Sequence, residues 1–254
     1  MKKLILIAFV ISLSYNCFSQ SLKIVNGDTS NRIDKNNLKQ GYWEERKGSV
    51  AFKGFYIDGK KEGNWVAYHA NGIVNLMEEY KNGKKNGITI VIDGRGRLQN
   101  ERHFINDVLH GPNKAYNQNG RLSQETNFIM GKENGKKVVY YNNAQPQEES
   151  YYIDGKKNGT SKWFNLQGQL IAEYNYENGL LEGEQKTFYA NGKVMSKEYY
   201  RNNIPIDEYE EYYENGNVKI SGAYKNGKKH GDWIENDEDG NNIKITRYKN
   251  GIIK

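Results

Sequence analysis

The stretch that decides the fold runs from Gly63 to Gly87 and has the sequence GNWVAYHANGIVNLMEEYKNGKKNG. The glycine that opens it recurs at a step of 24 residues, after a first step of 22 from Gly41 to Gly63. These repeat glycines are Gly41, Gly63, Gly87, Gly111, Gly135, Gly159, Gly183 and Gly231, with Asp207 at the remaining position. A fixed period of this length indicates a tandem array. The predicted units are 41–62, 63–86, 87–110, 111–134, 135–158, 159–182, 183–206, 207–230 and 231–254.

Each unit has the pattern of a β-hairpin. A first turn falls at pairs such as Asn71-Gly72, and a second at pairs such as Asn82-Gly83. Asn-Gly tolerates the positive φ angles that tight hairpin turns require. Runs of about eight residues rich in Tyr, Val, Ile and Trp lie between the turns and are typical of strands. The sequence therefore predicts an all-β protein, an elongated antiparallel meander of nine hairpins.

Aromatic residues mark the second strand of every unit, and most first strands carry another. The second-strand row is Tyr56, Tyr80, Phe104, Phe128, Tyr152, Tyr176, Tyr200, Tyr224 and Tyr248. By alternation, it shares a buried face with Val74, Leu98, Leu122, Leu170, Val194 and Val218. The opposite face then carries Glu101, Glu125, Glu149 and Glu173, either as a cation-binding ladder or as cross-strand partners of Lys and Arg. The aromatic row serves either as the core of a thin sheet or as a binding row.

The N-terminus has the pattern of a secretory signal peptide over residues 1–19. Lys2 and Lys3 precede the apolar stretch Leu4–Leu13, and Cys17 and Ser19 fit a cleavage site after Ser19. A lipid anchor on Cys17 is the less favoured alternative, because the preceding residues fit a lipobox poorly. The chain is thus expected to be exported to the periplasm, the outer surface or the medium, with no transmembrane segment in the mature protein. Residues 20–40 form a predicted N-terminal cap.

The composition argues against several classes of protein. Apolar residues make up 36% of the chain, which is too little for a thick globular core, and there are 20 tyrosines. The formal charge of +6 is mild for the length and does not indicate nucleic acid. Cys17 is the only cysteine, so a disulfide framework is not expected.

The repeat resembles a known family on several motifs. They are Gly63-Asn64-Trp65, Tyr68, Asn71-Gly72, Glu79-Tyr80 and Asn82-Gly83-Lys84-Lys85-Asn86-Gly87, preceded at the start of the array by Leu38-Lys39-Gln40-Gly41-Tyr42-Trp43. Together they resemble the MORN repeat, and most closely the bacterial variant arrays often labelled YwqK-like antitoxins, over about residues 34–254. Departures occur at Ile92, at Asn236 and at Gln145-Pro146. The resemblance implies a repeat scaffold that binds membranes, lipids or partner proteins, or an antitoxin that neutralises a partner toxin.

Two sets of residues are candidates for a binding surface. Tryptophans often mark interaction surfaces, although packing explains them as well. The basic pairs recur at the second turn and would line one long edge, where they either meet an anionic surface or keep the hairpin tips soluble. The candidates are Trp43, Trp65, Trp163, Trp233, Lys60, Lys61, Lys84, Lys85, Lys156, Lys157, Lys228 and Lys229.

The sequence offers little for catalysis. His110 and His230 directly precede repeat glycines, and His69 and His103 have no partner at metal-ligand spacing. The chain has neither a Gly-x-Ser-x-Gly elbow nor a Walker-type loop. We therefore expect no catalytic, cofactor or metal residues and predict an exported, non-enzymatic scaffold that binds a protein or an anionic envelope surface. An antitoxin or immunity protein is the alternative, and an envelope enzyme is a remote one.

Overall fold

The computed structural model describes residues 30–48 and 50–254, and each regular element in these ranges is a β-strand. The predicted signal peptide, with Cys17, lies outside the described residues, as do residues 20–29 of the predicted cap. The strands are β1 Arg32–Ile33, β2 Lys39–Lys47, β3 Val50–Ile57, β4 Lys60–Tyr68, β5 Val74–Lys81, β6 Lys84–Ile92, β7 Leu98–Ile105, β8 Val108–Leu109, β9 Gly111–Tyr116, β10 Leu122–Ile129, β11 Lys132–Tyr140 and β12 Pro146–Ile153. They continue as β13 Lys156–Lys157, β14 Gly159–Phe164, β15 Leu170–Glu177, β16 Leu180–Leu181, β17 Gly183–Phe188, β18 Val194–Arg201, β19 Ile204–Tyr212, β20 Val218–Lys225, β21 Lys228–Asn236, β22 Asn242–Lys249 and β23 Ile252–Ile253.

The strands form one open antiparallel sheet in which chain neighbours are sheet neighbours. β4, for example, pairs with β3 on one side and β5 on the other. The two-residue strands β8, β13 and β16 are each separated by one residue from the strand that follows, β9, β14 and β17. Each short strand and its successor together form the first strand of a unit. Substantial contacts run between adjacent strands. The predicted meander of tandem hairpins is confirmed.

The second turn of every unit is a two-residue turn with positive φ at both positions. In the second unit, φ is 53° at Asn82 and 81° at Gly83. Positive φ at both central residues defines the type I′ turn, whose twist matches that of the flanking strands. The backbone N–H of Gly83 also donates to the Lys61 carbonyl at 2.8 Å, and the same bond recurs in the other units. Each second turn is thereby joined to the hairpin before it.

The first turn is longer and is followed by a bulge. In the second unit it spans His69 to Ile73, with Gly72 N–H donating to His69 O at 2.9 Å. Tyr68 then pairs with Val74, whereas Ala67 pairs with Leu76, so the return strand carries one extra residue. The same register shift occurs in the seven units that follow.

This bulge corrects one prediction from the sequence. Cross-strand partners project to the same face, so Val74 lies with Tyr68, while Leu76, Trp65 and Tyr80 lie on the other side. The row Val74, Leu98, Leu122, Leu170, Val194 and Val218 therefore does not share a face with the second-strand aromatics. Simple alternation fails because the extra residue reverses the side-chain direction. We call the face with Trp65 and Tyr80 the front face and the other the back face.

The sheet is a single layer with a thin core on the front face. Its buried apolar residues are Trp43, Tyr56, Trp65, Ala67, Val138, Ala172 and Trp233, and Val138 alone of them points to the back. Small polar residues such as Ser150 and Ser161 are equally buried on the front face. This agrees with the low apolar content of the chain, because one layer cannot bury many aliphatic side chains.

The repeat glycines have positive φ, from 66° at Gly63 to 122° at Gly87. They lie in a second bulge, between the first strand of a unit and the strand before it. In β6, for example, Lys85 pairs with Tyr80 and Thr89 pairs with Glu78, so the residues around Gly87 leave the ladder. Asp207 occupies this position with φ 54°. Its backbone has to adopt the left-handed conformation that glycine adopts without a Cβ penalty.

We expect Asp207→Gly to stabilise the protein by about 1 kcal/mol, because it removes this backbone penalty. The reverse change, Gly159→Asp, should destabilise by a similar amount, since φ at Gly159 is 84° and a Cβ there would meet no neighbouring atom. Urea denaturation midpoints measure both. Equal midpoints for the two variants and the wild type would show that the repeat glycines are not kept for their φ.

Candidate binding surfaces

The tryptophans occupy two different positions. Trp43, Trp65 and Trp233 each lie two residues after a repeat glycine, and they are 8%, 1% and 5% exposed. Trp163 lies four residues after Gly159 and is partly exposed, with its ring 5.0 Å from that of Tyr174. The burial favours packing for the first three, which leaves very little of them within reach of a partner.

Two buried tryptophans rest on a glycine of the preceding strand. A Cβ at Gly54 would overlap the ring of Trp65, and one at Gly222 would overlap the ring of Trp233. The Trp65 Nε1–H donates to Phe55 O at 3.1 Å. These two glycines are not among the repeat glycines and were not predicted from the sequence. The available signal was that each precedes its tryptophan by the same interval, 54 to 65 and 222 to 233.

We expect Gly54→Ala to destabilise the protein by about 1–3 kcal/mol, the usual range for overpacking. Gly94→Ala is the matched control, because a Cβ there meets nothing and its φ is not left-handed. Introducing Gly54→Ala into a Trp65→Ser background should cost much less, since the clashing ring is gone. Additive effects in this double-mutant cycle, measured by urea denaturation, would contradict the proposed fit.

The lysine pairs divide between the two faces, which corrects the prediction that both members line the edge. Lys60, Lys84, Lys156 and Lys228 are exposed at the second turn. The second lysines alternate to the front face and lie over aromatic rings. Their Nζ atoms lie 4.0 Å (Lys61 on Trp65), 5.3 Å (Lys85 on Phe104), 4.9 Å (Lys157 on Trp163) and 3.8 Å (Lys229 on Trp233) from the ring centroids.

Carboxylates complete several of these arrangements on the front face. Lys85 Nζ lies 2.5 Å from Glu78, and the Tyr80 hydroxyl donates to the same carboxylate at 2.8 Å. Lys157 Nζ lies 2.7 Å from Glu148. Burial and the hydrogen bond to Glu78 raise the pKa of Tyr80, while burial lowers the pKa of Lys61. We call each such lysine, together with the aromatic rings under it and any carboxylate paired with it, a lysine box.

The long edge formed by the second turns combines lysine with isoleucine. On the back face, Ile57 pairs with Lys60 and Ile153 pairs with Lys156. The exposed lysines of this second-turn edge include Lys60, Lys84, Lys132, Lys156 and Lys228, and its exposed isoleucines include Ile57, Ile105, Ile129, Ile153 and Ile204. The edge is therefore both basic and apolar.

The glutamate row on the back face is paired with lysines of neighbouring strands. Glu149 lies 2.9 Å from Lys136, Glu173 lies 3.0 Å from Lys162, and Glu125 lies 4.0 Å from Lys114. Glu101 faces Lys114 across the ladder. These contacts favour cross-strand pairing over a cation ladder, and exposed pairs of this kind contribute at most about 1 kcal/mol each.

The histidines bond locally. His69 Nε2 lies 2.8 Å from Ile92 O, and His103 Nδ1 lies 2.5 Å from Pro112 O. Within residues 30–48 and 50–254, the structure gathers no group of three or more His, Cys, Asp and Glu side chains that could hold a metal. Over the same ranges, no helix could span a bilayer.

Comparison with known proteins identifies the repeat unit. A family model described as MORN repeat variant matches residues 61–82, 157–178, 181–202 and 208–226. Each of the first three matched segments begins at the position of the second lysine of a pair and ends in the following second turn. The fourth segment lies within the corresponding part of its unit. The search of curated proteins found no match to the chain.

Proposed function

The chain contains repeats of the MORN variant, as its sequence predicts, and from this premise we propose an exported, non-catalytic scaffold that binds an anionic envelope surface along its second-turn edge. The observation that carries the proposal is the row of exposed lysines and isoleucines on that edge. The buried tryptophans and the second lysines contribute to the fold instead.

The spacing of the edge suits a planar anionic surface. Two strands separate successive second turns, so neighbouring lysine positions lie about 10 Å apart. Lysines near an anionic bilayer contribute about 1 kcal/mol each, and apolar side chains beside them can enter the headgroup boundary. Because no single turn dominates, affinity should build up over many weak contacts along the row.

Export is supported by the N-terminal sequence. Lys2 and Lys3 followed by the apolar stretch Leu4–Leu13 form the charged and hydrophobic parts of a signal peptide. Processing after Ser19 would deliver the array to the envelope. The intact mass of the exported protein tests this step, because a mature chain that starts at Gln20 differs in mass from one acylated on Cys17.

Co-sedimentation with phosphatidylglycerol vesicles tests the binding edge. We expect the wild-type protein to bind at low salt, to be released in high salt and to bind phosphatidylcholine vesicles weakly. Replacing Lys60, Lys84 and Lys156 together with Gln should weaken binding more than tenfold, given about 1 kcal/mol per lysine. Any one of these substitutions alone should have a small effect.

The matched control removes the same charge from the opposite edge. Arg95, Arg121 and Lys193 are exposed at first turns, and changing all three to Gln alters the net charge equally. Equal loss of binding in both triple variants would reduce the effect to net charge and contradict a specific edge. Failure to bind vesicles, together with capture of one protein from envelope extracts, would replace the lipid surface with a protein partner, as an immunity function requires.

A further inference from the structure

Three lysine boxes share one geometry. In each, the lysine lies two residues before the repeat position. Its Nζ lies over the aromatic ring two residues after the repeat position and over the aromatic ring in the second strand of the same unit. The Nζ-to-centroid distances are 4.6 and 4.9 Å for Lys39 with Trp43 and Tyr56, 4.0 and 5.1 Å for Lys61 with Trp65 and Tyr80, and 3.8 and 5.5 Å for Lys229 with Trp233 and Tyr248.

The unit that begins at Asp207 keeps the two aromatics but not the lysine. Tyr209 and Tyr224 occupy the aromatic positions, with ring centroids 6.2 Å apart in an edge-to-face arrangement. Pro205 occupies the position that Lys39, Lys61 and Lys229 hold in the three lysine boxes above. Proline is short and uncharged, so it cannot place a cation over these rings.

A carboxylate beside these rings also lacks the cation that its counterpart has. Glu198 holds the position of Glu78, and the Tyr200 hydroxyl donates to it at 3.0 Å, as Tyr80 does to Glu78. Glu78 is further paired with Lys85 at 2.5 Å. Pro205 replaces that lysine, and among the described residues Glu198 forms no ion pair within 4.0 Å.

Space is open at this point of the front face. Glu198 and Tyr209 line two adjoining clefts of about 350 and 250 Å³, with Tyr224 and Trp233 in the larger and Tyr174 and Tyr200 in the smaller. The cations that also line them are already engaged, since Lys229 lies over Trp233 and Lys186 pairs with Glu184. Burial and the hydrogen bond to Glu198 raise the pKa of Tyr200 to about 12. Burial and the neighbouring Glu211 raise the pKa of Tyr209 to about 12, with a smaller contribution from Glu198.

We propose that the open box formed by Glu198, Tyr200, Tyr209 and Tyr224 binds a primary alkylammonium group from outside the chain. The ammonium takes the place that a lysine Nζ holds in the other boxes, paired with the carboxylate and lying over the tyrosine rings. Aromatic faces and an adjacent acid are the established means of holding organic cations. The site lies on the front face and does not rest on the proposed role of the second-turn edge.

Titration with n-butylammonium, followed by tyrosine ring signals in NMR spectra, tests the proposal. We expect saturable binding in the millimolar range and no comparable binding of n-butanol, which has the same alkyl chain without the charge. Glu198→Gln should weaken binding at least tenfold. Glu78→Gln is the control at a box that already contains its lysine, and it should leave n-butylammonium binding unchanged.

A substitution that fills the box provides the second test. Pro205→Lys introduces the residue that Lys61 and Lys229 supply in their boxes and should abolish n-butylammonium binding by occupying the site itself. Pro205→Leu, which copies Leu181 of the preceding unit, supplies an N–H and an alkyl chain without charge and should retain the binding. Unchanged urea midpoints for both variants would show that the fold is intact.

Two further ligands separate the sources of the amine. If 1,5-diaminopentane binds more tightly than Nα-acetyl-lysine methylamide, the natural ligand is a free amine. If the order is reversed, the ligand is a lysine side chain of another protein. Either order supports the site. The proposal is overturned if n-butylammonium does not bind, if n-butanol binds equally well, or if Glu198→Gln has no effect. Loss of binding in Pro205→Leu to the same degree as in Pro205→Lys would overturn it as well.

Discussion

The structure depends on backbone positions that require positive φ. Each hairpin needs one in the first turn, one at the repeat position and two adjacent ones in the second turn. Gly, Asn and Asp occupy nearly all of them, because these residues enter the left-handed region most readily. The second turns do more than reverse the chain, since each donates a backbone hydrogen bond to the hairpin before it. A hairpin that is marginal alone is thereby stabilised by its neighbour.

The front face shows how a sheet protects its aromatic residues without a second layer. In a sandwich, another sheet would cover Trp65 and Tyr80. Here the side chain of Lys61 covers these rings, with its ammonium lying over them, so one residue supplies both cover and a charged outer surface. The carboxylates nearby balance the charge. This explains how a chain with 36% apolar residues can form a defined core.

Periodicity predicted the meander, the turn positions and the strand order, because glycine and Asn-Gly spacing directly reflects backbone conformation. It failed where a local bulge changes side-chain direction, as at Val74, since no residue type marks that bulge. The direction of the second lysine in each pair was missed for a related reason, because both lysines look alike in the sequence. Gly54 and Pro205 were not predicted because their effect lies in contacts with residues of a neighbouring strand, which the repeat pattern of a single unit does not show.

The fit between Gly54 and Trp65 joins the return strand of one unit to the outgoing strand of the next. The packing unit is therefore shifted by half a hairpin from the sequence repeat. A duplication that placed a copy of residues 63–86 behind a unit without this glycine would set the tryptophan against a side chain such as Glu78 or Arg102. Copies that keep the glycine and tryptophan together avoid this conflict, so the packing restricts which boundaries of a duplication preserve the fold. The occurrence of the pair near both ends, at 54 and 65 and again at 222 and 233, agrees with that restriction.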